Sequence, residues 1–165
     1  MLKKIEEYEI EPYLKLLGEV EHERLDLTDL RHEAWLRRRI HLNYARGAHY
    51  IALHDDDNPE AFGIVSVLHE PAPPGIEAWG ARAEILQIGV NRSCRRAGIG
   101  SRLLAAAERF ARDRGVYCLF LMTYGEDYDV IAFYGKNGYI PVASIPDVFG
   151  PGTEGNLVLR KVVSS

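Results

Sequence analysis

The chain has 165 residues, enough for one domain with a sizeable buried core. Its 47% hydrophobic and 27% charged residues are those of an ordinary globular protein. The formal net charge of -4 argues against nonspecific nucleic-acid binding, which draws on excess basic charge, yet leaves room for a locally basic pocket.

In chain order, Lys3–Tyr8 reads as a short first strand. From Ile10 to Glu23, Tyr13, Leu14, Leu16, Leu17 and Val20 fall on one helical stripe. Asp29 to Arg46 is a second helix, with Leu30, Ala34, Trp35 and Ile40 on its apolar side and Gly47 as its stop. The runs His49–Leu53 and Ala61–His69, joined by Asp55-Asp56-Asp57-Asn58-Pro59, predict an antiparallel hairpin. Pro71, Pro73, Pro74 and Gly75 mark a surface loop. Ala83–Val90 is the fourth strand, Gly98–Arg114 a helix stopped by Gly115, and Val116–Met122 a buried strand, apolar throughout. Asp129–Lys136 is a short helix closed by Asn137-Gly138, and Tyr139–Ile145 and Asn156–Val163 are the last strands. Strand–helix–strand in the second half implies a parallel pair with a crossover helix, and the flanking hairpins make the sheet mixed. The expected class is α+β, or α/β in three layers, with one central sheet flanked by helices.

The stretch Val90-Asn91-Arg92-Ser93-Cys94-Arg95-Arg96-Ala97-Gly98-Ile99-Gly100-Ser101 carries the most chemistry. A strand runs into a basic, glycine-bearing loop that opens directly into an amphipathic helix. In that helix Ile99, Leu103, Ala107, Phe110 and Ala111 face inward, while Arg102, Arg109 and Arg112 face outward. Unpaired N–H groups and the dipole at a helix start favour an anion. Gly98 and Gly100 let phosphate oxygens approach the backbone, and Arg95 and Arg96 add charge-assisted hydrogen bonds. A dinucleotide fingerprint is excluded because Leu103 stands where its third glycine belongs. A nucleoside-triphosphate P-loop is excluded because Ser101 follows Gly100 with no lysine. Without a ligand the same segment is simply a basic strand–helix turn.

Arg95-Arg96-Ala97-Gly98-Ile99-Gly100 resembles the Gln/Arg-x-x-Gly-x-Gly/Ala signature of the GNAT superfamily of N-acetyltransferases. Downstream, Ala132-Phe133-Tyr134-Gly135-Lys136-Asn137-Gly138-Tyr139 resembles the family's Phe-Tyr-x-Lys-x-Gly-Phe segment. Two motifs in this order, separated by a helix and a buried strand, are far more specific than either alone. The resemblance is at the level of motifs from Glu84 to Gly138 and of element order before that. It implies a GNAT-like acyl-CoA N-acyltransferase fold over residues 1–165 and transfer of an acetyl group from acetyl-CoA to a primary amine, by direct attack through a tetrahedral intermediate.

By the same resemblance, the backbones of Arg95, Arg96, Ala97, Gly98, Ile99, Gly100 and Ser101 hold the diphosphate of acetyl-CoA. The pantetheine arm pairs with the fourth strand at Ile88, Gly89 and Val90. Gly89 is compatible with a bulge there, or with a small residue under packing pressure. The reaction needs a neutral amine, and an alkyl amine with a pKa near 10.4 is less than ~0.1% neutral at pH 7. Glu84, twelve positions before Arg96, stands where the histone-acetylating branch carries its glutamate base. The alternatives are a water chain and a solvent-facing glutamate. Tyr134 matches the family's general-acid tyrosine, with Phe133 and Ile131 facing the core. Asp127 occupies a position where many members carry asparagine, a departure from the family's pattern, and Asp129 is the expected helix cap.

Other residues carry less. The six histidines fall between His22 and His69 without metal-ligand spacing, so no metal is expected. Arg37-Arg38-Arg39 fans out around a helix as a solvated face. Cys94 lies near the cofactor loop without an evident base, and Cys94 and Cys118 make no disulfide framework. Pro146-Asp147-Val148-Phe149-Gly150-Pro151-Gly152 resembles the acceptor loop of family members that acetylate small amines or peptide ends. Asp147 and the acidic run near Asp127 favour a cationic acceptor. No apolar stretch spans a bilayer, and the start Met1–Glu7 lacks a signal core, so the expected setting is the cytoplasm with no membrane partner. A homodimer is allowed but not specified. The competing classes are a non-catalytic acyl-CoA-binding sensor or partner subunit, and another phosphate-ligand enzyme.

Overall fold

In the computed structural model, which describes residues 1–21, 26–55, 60–148 and 150–163, seven strands form one mixed sheet flanked by helices. The strands are β1 (Leu2–Ile5), β2 (Ala48–His54), β3 (Ala61–Glu70), β4 (Arg82–Val90), β5 (Cys118–Tyr124), β6 (Ile140–Ile145) and β7 (Asn156–Val162). Their order in the sheet is β1-β2-β3-β4-β5-β7-β6. The helices are α1 (Leu14–Glu21), α2 (Leu30–Ala45), α3 (Ile99–Arg112) and α4 (Tyr128–Lys136). The mixed sheet and the parallel β4–β5 pair agree with the sequence reading. Among the described residues no helix is long and apolar enough to cross a membrane. The expected turn over Asp56–Pro59, together with His22, Glu23 and Phe149, lies outside the described residues.

Two compact units divide the chain: Met1–Glu70 with Leu86–Ala107, and Pro71–Ile85 with Glu108–Ser165. Both β4 and α3 therefore begin in one unit and end in the other. In the first unit, the β2–β3 hairpin sets Tyr50 opposite Ser66 and Ala52 opposite Ile64. Its core joins Ile5, Leu17, Leu36, Ile40, Tyr50 and Ile64. Alternating burial along β4 hides Ala83, Ile85, Gln87 and Gly89 and leaves Glu84, Leu86, Ile88 and Val90 partly exposed, the period of two that a strand imposes.

In the second unit, β5 pairs antiparallel with β7 from Cys118↔Val162 to Tyr124↔Asn156. Its parallel register with β4 includes Ala83↔Leu119, Glu84↔Phe120 and Ile85↔Leu121. The β6–β7 connection depends on Gly155, whose φ is +69° and where a Cβ would lie 1.9 Å from the Ile145 carbonyl oxygen. Any side chain there would drive the hairpin apart.

Several local expectations are corrected. The first strand ends at Ile5, and Tyr8 sits 85% exposed in the single-turn 3-10 helix Glu7–Glu9. The first helix is preceded by another 3-10 turn, Glu11–Tyr13, which accommodates Pro12 because an N–H there would have no partner within the helix. On α2 the buried residues are Leu36, Ile40 and Asn43, spaced four and three apart, while Leu30 and Trp35 are exposed. Trp35 instead lies under the Arg39 guanidinium, 5.5 Å from its ring centre. Strand β5 is buried in its first half only, with Met122 and Tyr124 exposed.

Candidate functional site

In the first unit, β4 delivers the chain into the basic turn. The Asn91 N–H donates to the Phe62 carbonyl at 2.9 Å, and the Asn91 side chain accepts from the Ser93 N–H and hydroxyl at 3.2 and 3.0 Å. These bonds start the single-turn 3-10 helix Arg92–Cys94. Arg95 is then extended, Arg96 left-handed at φ +64° and Gly98 left-handed at φ +75°. For arginine that conformation costs roughly 1–2 kcal/mol, so the turn carries strain at an exposed point. A Cβ on Gly98 would meet nothing within 4 Å, so its glycine is required by conformation, not by space. Helix α3 follows at once: Arg102 N–H donates to the Gly98 carbonyl at 3.1 Å, and buried Ile99 and Leu103 anchor the first turn. The N–H groups before Arg102 have no partner within the helix. Arg95, Arg96, Ala97 and Gly98 are all exposed around them.

Behind this turn two glycines allow close packing. A Cβ on Gly63 would lie 2.6 Å from the Gly89 carbonyl oxygen and 2.8 Å from Leu103 Cδ1. A Cβ on Gly89 would lie 2.3 Å from Val20 Cγ2, so α1 sits where any side chain would be. Packing pressure thus gives a sufficient reason for Gly89.

In the second unit, Asp127 is the cap of α4, accepting from Val130 N–H at 3.2 Å, and corrects the expectation of Asp129. Tyr134 is 6% exposed and is the buried residue of this helix, whereas Ile131 and Phe133 are half-buried. That reverses the expected facing. The Tyr134 ring lies 5.2 Å from Phe133 and meets Tyr139 edge-on at 5.8 Å. Burial raises the Tyr134 pKa above its ordinary value, and the nearby Asp127 carboxylate adds to the rise. Glu84 is half-buried on β4, opposite Phe120 of β5. The turn residues and the pair Glu84 and Tyr134 thus belong to different units.

A profile of the Acetyltransferase (GNAT) family matches residues 4–139, most of the chain. The chain belongs to the GNAT acetyltransferase family. The blasticidin-S acetyltransferase of Streptomyces morookaense is 37% identical over 73 residues, which are 44% of this chain and 52% of that protein. The match spans about half the length of that curated relative. An aminoglycoside 6'-acetyltransferase type Ii is similar in structure with a TM-score of 0.71 at 20% identity, over 99% of this chain and 97% of the other. A Bacillus subtilis acetyltransferase solved in complex with CoA gives 0.72 at 19% identity, over 98% and 97%. These two structures bear on the fold, which is that of the GNAT neighbours, as the motifs implied.

Two buried polar clusters of this GNAT chain were not found from the sequence. In the first unit, the Gln87 side-chain oxygen accepts from the Tyr50 hydroxyl at 3.1 Å and the Ser66 hydroxyl at 3.4 Å. Asn43 donates to the Tyr50 oxygen at 3.0 Å. In the second unit, Glu108 accepts from Lys161 and from Tyr139. Glu108 did leave a signal, a carboxylate four residues after Leu104 and three before Ala111 on an apolar stripe.

Among the described residues no group of three His, Cys, Asp or Glu side chains could hold a metal ion. His41 pairs with Glu7 and His54 with the Tyr13 hydroxyl, each at 2.7 Å. Arg37 is engaged by Glu11 at 2.7 Å through two nitrogens and by Glu33 at 2.8 Å, which makes it a link between segments. In the acceptor-like loop, Asp147 adopts φ +55°, and its carboxylate accepts from Gly152 N–H at 2.7 Å. That carboxylate orders its own loop.

Proposed function

We propose that this chain is an N-acetyltransferase, acting as one domain in the cytoplasm, which moves the acetyl group of acetyl-CoA to a primary amine of a small cationic molecule. The observation that carries the reading is the turn. Left-handed Arg96 and Gly98 present bare amides at the start of α3, with arginine side chains around them. Such a corner fits a diphosphate: N–H donors converge, no Cβ blocks approach at Gly98, and the helix dipole adds to the basic charge. In this reading Arg95 to Ser101 bind the diphosphate and the backbone of Ile88 to Val90 pairs with the pantetheine arm.

Acetyl-CoA supplies an acyl thioester, and the protein's own groups handle the protons. Glu84 removes the proton that an ammonium must lose, directly or through water. Tyr134 holds a hydrogen bond on the departing sulfur. Its raised pKa keeps the phenol protonated at neutral pH. Complete transfer of its proton to a thiolate of pKa near 8.5 is uphill by at least about 2 kcal/mol, so the hydrogen bond is the main contribution. For the acceptor, the relative's action on blasticidin S and the structural neighbour's on aminoglycosides support a small cationic amine. The exposed carboxylates Glu126, Asp129 and Glu154 favour the same charge.

The test is a panel of amines, including blasticidin S, an aminoglycoside and a peptide with a free N-terminus, assayed by release of free thiol from acetyl-CoA. Release with the small cationic amines is expected. Tight binding of acetyl-CoA without release for any amine would make the chain a non-catalytic binder.

A further inference from the structure

Glu108 is 9% exposed on the buried stripe of α3. Both of its carboxylate oxygens accept from Lys161 Nζ at 2.9 Å, and Oε1 also accepts from the Tyr139 hydroxyl at 3.3 Å. A partly buried ion pair such as this, with the Lys161 side chain 30% exposed, is weak support for stability, because desolvation and solvent screening offset the attraction. What the pair orders therefore matters more than what it stabilises.

It orders Tyr139. This residue is 1% exposed, and its ring meets the Tyr134 ring edge-on at 5.8 Å and 65°. The Tyr139 N–H donates to the Tyr134 carbonyl at 3.0 Å, next to a second bond from the Asn137 N–H. Lys161 Nζ lies 5.7 Å from the Tyr139 ring centre, and a Cβ on Gly138 would lie 3.4 Å from Lys161 Cε. Tyr139 is therefore fastened to Tyr134 through ring and backbone, and to Glu108 through its hydroxyl. Phenylalanine would fill nearly the same space, so the hydroxyl is there for Glu108.

We propose that Glu108 and Lys161, acting through Tyr139, position the Tyr134 ring for its hydrogen bond to the departing sulfur. All three are positioning residues, and the inference rests on the role of Tyr134 given under the proposed function. A ring held in this way fixes where its hydroxyl stands, and small misplacements of a reacting group cost rate steeply.

A double-mutant cycle on the full chain tests it. Tyr139→Phe leaves Glu108 paired with Lys161 and should lower kcat about tenfold with KM for acetyl-CoA and the thermal midpoint nearly unchanged. In a Tyr134→Phe background the same change should cause no further loss. The joint replacement Glu108→Leu with Lys161→Met, which buries no charge, should reproduce the loss seen with Tyr139→Phe. No loss from Tyr139→Phe, or an equal loss in both backgrounds, would overturn the positioning role while leaving Tyr134 in place. Full turnover by Tyr134→Phe alone would remove the reading beneath it, and the inference with it.

Discussion

The turn from Val90 to Arg102 and the end of α4 around Tyr134 are built in opposite ways. The turn is exposed and offers backbone: its left-handed residues are Arg96 and Gly98, and a Cβ at Gly98 would touch nothing. The end of α4 is buried and offers side chains, with Tyr134 and Tyr139 edge-on over the Glu108–Lys161 pair. A site made of amides needs a particular path of the chain and tolerates many side chains around it. A site made of packed rings needs specific neighbours, brought from α3, α4 and β7. Binding and chemistry should therefore separate on mutation.

The largest expected effect belongs to the buried region. Tyr134→Phe should lower kcat by about 10²-fold while the Kd for acetyl-CoA, measured by calorimetry, stays within twofold. Equal losses in both would erase the contrast. Next comes alkaline stability. Burial raises the pKa of Tyr134 and Tyr139, with Asp127 and Glu108 contributing respectively. The folded state then keeps protons that the unfolded phenols lose above about pH 10, so stability is complete below that pH and falls above it. Two phenols give up to about 2.7 kcal/mol per pH unit, readable by urea unfolding at pH 9, 10 and 11. Replacing both tyrosines by phenylalanine should reduce that slope, with burial of the Tyr13 and Tyr44 phenols supplying the part that remains, whereas changes in the turn should leave it alone. The smallest effect is at Gly98. A β-branched residue strains φ +75°, so Gly98→Val should weaken acetyl-CoA binding roughly tenfold and leave kcat at saturation little changed.

The same contrast governs what could be read from the sequence. The turn was legible because Arg95, Arg96, Gly98 and Gly100 are consecutive, and local pattern determines local backbone. The seven strands and four α-helices among the described residues were legible in order, because apolar runs, periodicity and the glycine and proline stops between them are local signals. The facing of Trp35 and Leu30 was not, since an arginine stacked on an indole can leave an apolar residue at the surface. Nor was the cap at Asp127, because Asp129 two residues on has the same chemistry. Glu108, Tyr139 and Lys161 come from three elements and meet only after folding. The sequence shows Glu108 as an odd carboxylate on an apolar stripe and says nothing of its partners.

The central claim is that a diphosphate rests on the amides between Arg95 and Ser101. Amide hydrogen exchange of the full chain, with and without acetyl-CoA, measures this directly. Slowed exchange is expected across the turn and the first turn of α3, and along Ile88 to Val90. Acetyl-CoA binding that leaves those amides exchanging as before, with protection elsewhere in the chain, would contradict it.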